Sequence, residues 1–177
     1  RIRAVGQALA FAPDTHRLDA TGCLVLPGLV NAHTHAHNNL FKGLGDNWTL
    51  EDLLNHGPAL NGNRTPEDHY LSAAIGAVEM LKNGCTAAYD LFMAAPAPTS
   101  EDIEAVVRAY TDVGLRAVIA PAMTDLVFYQ TMPGLLDLLP ADLRRTVDGL
   151  VAAPTAGILQ IAEETVRRWQ GTASGRI

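Results

Sequence analysis

The chain has 177 residues, a formal net charge of -6, 48% hydrophobic and 18% charged residues. That is enough apolar sequence for one core, too little charge for disorder, and no Lys or Arg stripe to attract nucleic acid. No apolar run is long enough to cross a bilayer, and residues 1–6 lack a secretory h-region, so a cytoplasmic protein with reduced Cys23 and Cys85 is expected.

Residues 1–27 read as short β pieces at 2–6, 15–20 and 24–26, with Pro27-Gly28 closing the last. No helix separates them, so they should pair with one another. The chain starts on Arg1 inside the first piece and stops at Gly175-Arg176-Ile177, where another strand could begin; both ends look cut. Leu29-Val30-Asn31-Ala32 is a short buried strand leading into His33. Residues 36–48 read as loop, Thr49 to Asp52 as a capping box on a short helix through about His56, and 57–64 as loop again.

The clearest helix runs from about Pro66 to Asn83. Thr65 suits the N-cap, Pro66 the first turn, and Gly84 the stop. Leu71, Ala74, Ile75, Val78 and Leu81 recur at helical spacing and are the expected buried face. A strand over 85–90 follows. Then comes a helix capped by Thr99 or Ser100, burying Ile103, Val106, Val107 and Tyr110 and ending at Gly114. The next strand is 116–121. Residues 122–139 form a long connection, and helices follow near 141–152 and 157–170. The alternation predicts three parallel strands. Either they form an open α/β sheet or they open a (β/α)8 barrel, which needs eight strands and roughly 250 residues.

Chemistry concentrates in Pro27-Gly28-Leu29-Val30-Asn31-Ala32-His33-Thr34-His35. Alternation on a strand sends His33 and His35 to one side, at the C-terminal end where barrel enzymes keep their sites. Two imidazoles there can share a divalent metal, although a bare His-x-His is equally two polar residues at a strand end.

The longer motif resembles the first strand of the amidohydrolase superfamily, in the branch of cytosine, nucleoside and guanine deaminases and triazine hydrolases. The resemblance continues through Asn38-Asn39-Leu40-Phe41-Lys42-Gly43-Leu44 and through Glu79-Met80-Leu81-Lys82-Asn83-Gly84-Cys85-Thr86. It implies a fold in which residues 1–27 belong to a small β-sandwich and 28–177 to the N-terminal part of a metal-dependent hydrolase barrel. It also implies a hydrolase acting on a C–N bond, most simply deaminating a purine, pyrimidine or triazine ring with metal-activated water. One divalent metal, zinc or else iron, would be held by His33 and His35. Further ligands are implied on later strands: a His on the fifth, commonly a His on the sixth and an Asp on the eighth, with a Glu as proton shuttle. None of those strands is in this sequence. The catalytic residues are therefore unassigned. A homo-oligomer is a further family habit.

Other residues rank lower. Asn38, Asn39, Phe41 and Trp48 follow the motif and either contact the small-molecule heterocyclic substrate or pack the loop. Asp90, at the end of the second strand, either fixes a loop or takes part in the chemistry. His37 is structural or substrate-facing, or else a ligand. His16, His56 and His69 have no partner at ligand spacing and read as surface or capping residues. The opposing readings are a barrel fragment that keeps the fold without catalysis, and an open α/β binding domain, for which no phosphate-binding glycine pattern speaks.

Overall fold

A computed structural model describes residues 2–177; Arg1 lies outside the described residues. Three parallel strands form one sheet in chain order, β1 (Leu29–Thr34), β2 (Cys85–Phe92) and β3 (Arg116–Pro121). Leu29 pairs with Cys85 and Thr34 with Asp90 across the first pair, and Ala87 to Phe92 pair with Arg116 to Pro121 across the second. The β-branched and small apolar residues of these runs suit a pleated sheet, but β1, expected to be buried, leaves Leu29 and Val30 exposed, as β3 leaves Val118.

Helices α1 (Leu50–Asn61), α2 (Pro66–Lys82) and α3 (Ser100–Val113) each start on a threonine cap. Thr49, Thr65 and Thr99 accept from the backbone N–H of Asp52, Asp68 and Asp102, whose carboxylates accept in return. Helix α3 ends on left-handed Gly114, where the expected C-cap places it. The connection after β3 holds a short 3-10 turn (Phe128–Thr131) and α4 (Leu135–Leu138). Helices α5 (Ala141–Asp148), α6 (Thr155–Trp169) and a terminal turn α7 (Thr172–Gly175) follow. The Ala117 N–H donates to the Arg176 carbonyl at 2.8 Å, so the last residues lie along the outer edge of β3. No helix among the described residues is long and apolar enough to cross a membrane.

The core joins α2, α3 and the sheet through Ala73, Ala77, Ala88, Phe92, Val106 and Tyr110. The α3 face expected from spacing is the face that is buried. Helix α2 differs. Its buried face is His69, Ser72, Ala73, Gly76 and Ala77, while Leu71, Ile75, Val78 and Leu81 are exposed. Small side chains win because α2 lies close against a 3-10 segment at Ala36–Phe41. A Cβ on Gly76 would stand 2.3 Å from Asn39 Nδ2. His69 is thus a core residue, 2% exposed, and not a surface or capping one.

Three further expectations change. The strands expected at 2–6, 15–20 and 24–26 do not form; residues 2–28 carry no strand and are exposed throughout. Short strands hold together only when one face is covered, and the residues of this segment are exposed on both. Residues 36–41 are a 3-10 helix where loop was expected. Helix α1 runs on through Gly57 and Pro58 to Asn61, because its capped first turn and the apolar Leu53 and Leu54 outweigh one missing N–H.

Candidate active site

The C-terminal ends of all three strands open on one cleft of about 290 Å³. This is where parallel α/β sheets bind ligands, because the chain leaves each strand there in a loop free to vary. The cleft is walled by Leu50, Leu53 and Leu54 of α1, by Met93 and its neighbours after β2, and by Thr124 and Phe128 after β3. His35, His37 and Asn38 form its floor.

His33 lies on β1 and His35 one residue past its end. Their rings meet edge to face, with Nε2 3.1 Å from Nε2. His35 Nδ1 stands 2.9 Å from the Leu91 carbonyl, which can only accept, so Nδ1 carries the proton and Nε2 keeps its lone pair. Two imidazole nitrogens on one tetrahedral zinc lie about 3.3 Å apart, given Zn–N distances near 2.0–2.1 Å. The spacing of the pair therefore fits one metal ion, for which the Leu91 carbonyl would be the outer partner orienting the His35 imidazole. The Asn31 side chain accepts from the His33 N–H and holds the strand end. Among the described residues no third His, Cys, Asp or Glu joins the pair.

His37 is bound with the opposite polarity. The Met93 N–H donates to its Nδ1 at 3.1 Å, so the ring proton sits on Nε2. Burial, and then the neighbouring His35, push the imidazole down to about 3, so it stays neutral. Its ring stands edge-on to His35 at 5.4 Å between centroids and to Phe92 at 6.2 Å.

Ala36, between the two histidines, is anchored at both polar groups. Its N–H donates to Asp90 at 2.9 Å, and its carbonyl accepts from Ser72 Oγ and Asn39 Nδ2. Asp90 is fully buried, and its second oxygen accepts from the Tyr110 hydroxyl at 2.9 Å. Burial raises this carboxyl to about 6, against the opposing pull of those two hydrogen bonds. The Tyr110 hydroxyl is raised by burial and by the carboxylate beside it. With both oxygens engaged, Asp90 has the geometry of a loop anchor.

The residues proposed from sequence thus divide. His33 and His35 converge, and Asn38 lines the cleft. Asn39 braces Ala36 and α2, its amide donating to the Ala36 and Ser72 carbonyls. Phe41 is buried beneath Arg64, and Trp48 stacks on His56 at 4.4 Å. None of these three, nor Asp90, lines the cleft. His16 is exposed. Sequence reasoning passed over the α1 wall, although Leu50, Leu53 and Leu54 recur at helical spacing. It also passed over Asn61, whose buried Oδ1 has no partner among the described residues. The backbone groups of Leu91 and Met93 leave no side-chain signal at all.

Comparison with known proteins meets this geometry. The chain is 37% identical over 126 residues to a 5'-deoxyadenosine deaminase of Methanobrevibacter smithii, covering 71% of this chain and 27% of that protein. It is 32% identical over 165 residues to a 5-methylthioadenosine/S-adenosylhomocysteine deaminase of Symbiobacterium thermophilum, covering 91% of this chain and 30% of the relative. The chain therefore spans less than a third of the length of these curated relatives. Among solved structures, the zinc complex of atrazine chlorohydrolase TrzN from Arthrobacter aurescens TC1 superposes with a TM-score of 0.62 at 22% identity. That match covers 81% of this chain and 31% of TrzN, and at such identity it speaks for the fold, a TIM-barrel type. The sequence model of the amidohydrolase family matches residues 24–177. Since that stretch takes in the histidine pair, the sheet and every helix described above, the chain belongs to the amidohydrolase family.

Proposed function

We propose that this chain is the N-terminal portion of a metal-dependent hydrolase that deaminates an aminated nitrogen heterocycle, with purine nucleosides as the first substrate class. The observation that carries the reading is the convergence of His33 Nε2 and His35 Nε2, 3.1 Å apart, at the cleft end of the first parallel strand. Two similar relatives are by name deaminases of 5'-deoxyadenosine and of 5-methylthioadenosine and S-adenosylhomocysteine, which favours a purine over the pyrimidine and triazine alternatives. In this reading residues 28–177 open a (β/α)8 barrel and residues 1–27 contribute to a β-sandwich. The protein works in the cytoplasm as a homo-oligomer.

His33 and His35 would hold one divalent metal, zinc first and iron second, since neutral imidazole suits both. When bound, that metal supplies a water activated near neutral pH for attack on an sp² ring carbon. The chain's own residues do the rest. The Leu91 carbonyl keeps the His35 proton on Nδ1. The leucine wall of α1 excludes bulk water from the ring, and Asn38 offers a polar contact at the floor. Asn39, Phe41, Trp48 and Asp90 hold the frame that sets the spacing.

The second reading is a chain that keeps the fold and catalyses nothing. It is favoured by one observation, that no third ligand joins the pair among the described residues. Elemental analysis of the purified protein, followed by an ammonia-release assay on aminated purine nucleosides, separates the two. About one zinc or iron per chain with ammonia release supports the hydrolase. Absence of tightly held metal together with absence of turnover would sink it.

A further inference from the structure

His37 stands beside the histidine pair without sharing its chemistry. It is 5% exposed and lines the cleft. Its Nδ1 is occupied by the Met93 N–H, so the free nitrogen, Nε2, is a donor. Nε2 has no hydrogen-bond partner among the described residues, and it is not one of the enclosed orphan atoms either. His37 lines the cleft, so the cleft is where an acceptor for Nε2 can enter. Bound this way, His37 is not a third ligand: one nitrogen is taken and the other carries the proton.

The ring is also hard to turn. It packs edge-on between His35 and Phe92, and flipping it would set the Cδ2–H group against the Met93 N–H and leave that donor without its acceptor. A donor held so rigidly near the reacting centre discriminates strongly, because a ligand lacking the matching acceptor leaves it desolvated and unpaired.

We propose that His37 is a specificity-determining residue, donating its Nε2–H to a ring-nitrogen lone pair of the bound heterocycle. The inference rests on the purine reading above. The attacked carbon is part of the ring and would be held beside the histidine pair, and the His37 ring, its centroid 5.4 Å from that of His35, is near enough to meet the ring system and not a distant substituent. The walls around it are chiefly apolar, which leaves the His37 N–H as a principal polar feature for orienting a flat heterocycle.

The test is a binding comparison on the zinc-loaded full-length protein. The probes are an adenosine-type nucleoside and its 1-deaza, 3-deaza and 7-deaza analogues, each with one ring nitrogen replaced by C–H. Wild type is expected to bind one analogue roughly ten- to hundredfold more weakly than the parent, the cost of an unpaired buried donor. In His37→Phe that penalty should vanish, with the parent now bound as weakly as the analogue. In His37→Gln, which keeps a side-chain N–H, part of it should return. Equal binding of all four probes to wild type overturns the inference, as does a penalty that persists in His37→Phe. Should His37→Phe lose its zinc, the ratios are read on His37→Gln, where an unchanged penalty is the overturning result. Failure of every purine to bind zinc-loaded wild type overturns the functional reading itself and the inference with it. That outcome is distinct, because no analogue then differs from the parent.

Discussion

His35 and His37 lie two residues apart and are held by one stretch of backbone in opposite tautomers. The Leu91 carbonyl accepts from Nδ1 of His35, and the Met93 N–H donates to Nδ1 of His37. Carbonyl and amide alternate along the end of β2 and beyond it, so neighbouring imidazoles that reach this edge receive opposite instructions. One is left with a bare Nε2 beside His33, the other with an N–H facing the cleft. The peptide between them is pinned by Asp90, Ser72 and Asn39.

The histidine pair makes the first prediction. His33→Ala and His35→Ala are each expected to weaken zinc binding by roughly a hundredfold or more, beyond the loss typical of an outer partner. Zinc titration with a competing chelator measures it. Retention of full affinity by either variant would remove that residue from the ligand set.

Asp90 makes the second. Its carboxyl is raised to about 6 by burial, above the ordinary 3.8. The folded state therefore holds this proton more tightly than the unfolded chain. The contribution is fully present below about pH 4 and is lost as pH rises through about 6. Asp90→Asn keeps an acceptor for Ala36 and should flatten that part of the stability–pH curve. Asp90→Ala leaves the Ala36 N–H and the Tyr110 hydroxyl unpaired, at about 2–4 kcal/mol. Chemical denaturation across pH 4 to 7 distinguishes them, and equal curves for wild type and Asp90→Asn would contradict the assignment.

Gly76 makes the third. Alanine is better than glycine inside a helix by about 1 kcal/mol. Here the added methyl would stand 2.3 Å from Asn39 Nδ2, which donates to two carbonyls and cannot move freely. The clash outweighs the propensity, and Gly76→Ala should be less stable by about 1–3 kcal/mol. A denaturation midpoint above wild type would mean that the Asn39 brace yields.

His69 makes the fourth. It is buried edge-on to Phe92, with Nε2 3.7 Å from Asp102 and Nδ1 without a partner among the described residues. Burial lowers its pKa, although Asp102 pulls the other way. The lowered value means that stability is present above about 6.5 and falls as the pH drops below it. His69→Leu removes an orphaned polar atom. It should change stability at neutral pH by less than about 1 kcal/mol while reducing acid sensitivity. A large loss at pH 7 would show that the His69–Asp102 contact matters more than its geometry implies.

The sequence by itself determined whatever depends on neighbours within a few residues. The threonine caps with aspartate three residues on, the stop at Gly114, the three strands and the alternation that pairs His33 with His35 are all local, since capping and pleat geometry act over one turn or one repeat. Tertiary structure decided the rest. Helix α2 buries Ala73, Gly76 and Ala77 and not its larger apolar row, because close approach to residues 36–41 rewards small side chains, and periodicity cannot weigh an unseen neighbour. Residues 2–28 hold strand-like patterns with no layer to cover them. The hydrogen bonds of His37 and Asp90 and the packing of His69 come from backbone groups and side chains brought from 20 to 56 residues away. A histidine's proton goes where its partner requires, and the partner is chosen by the fold.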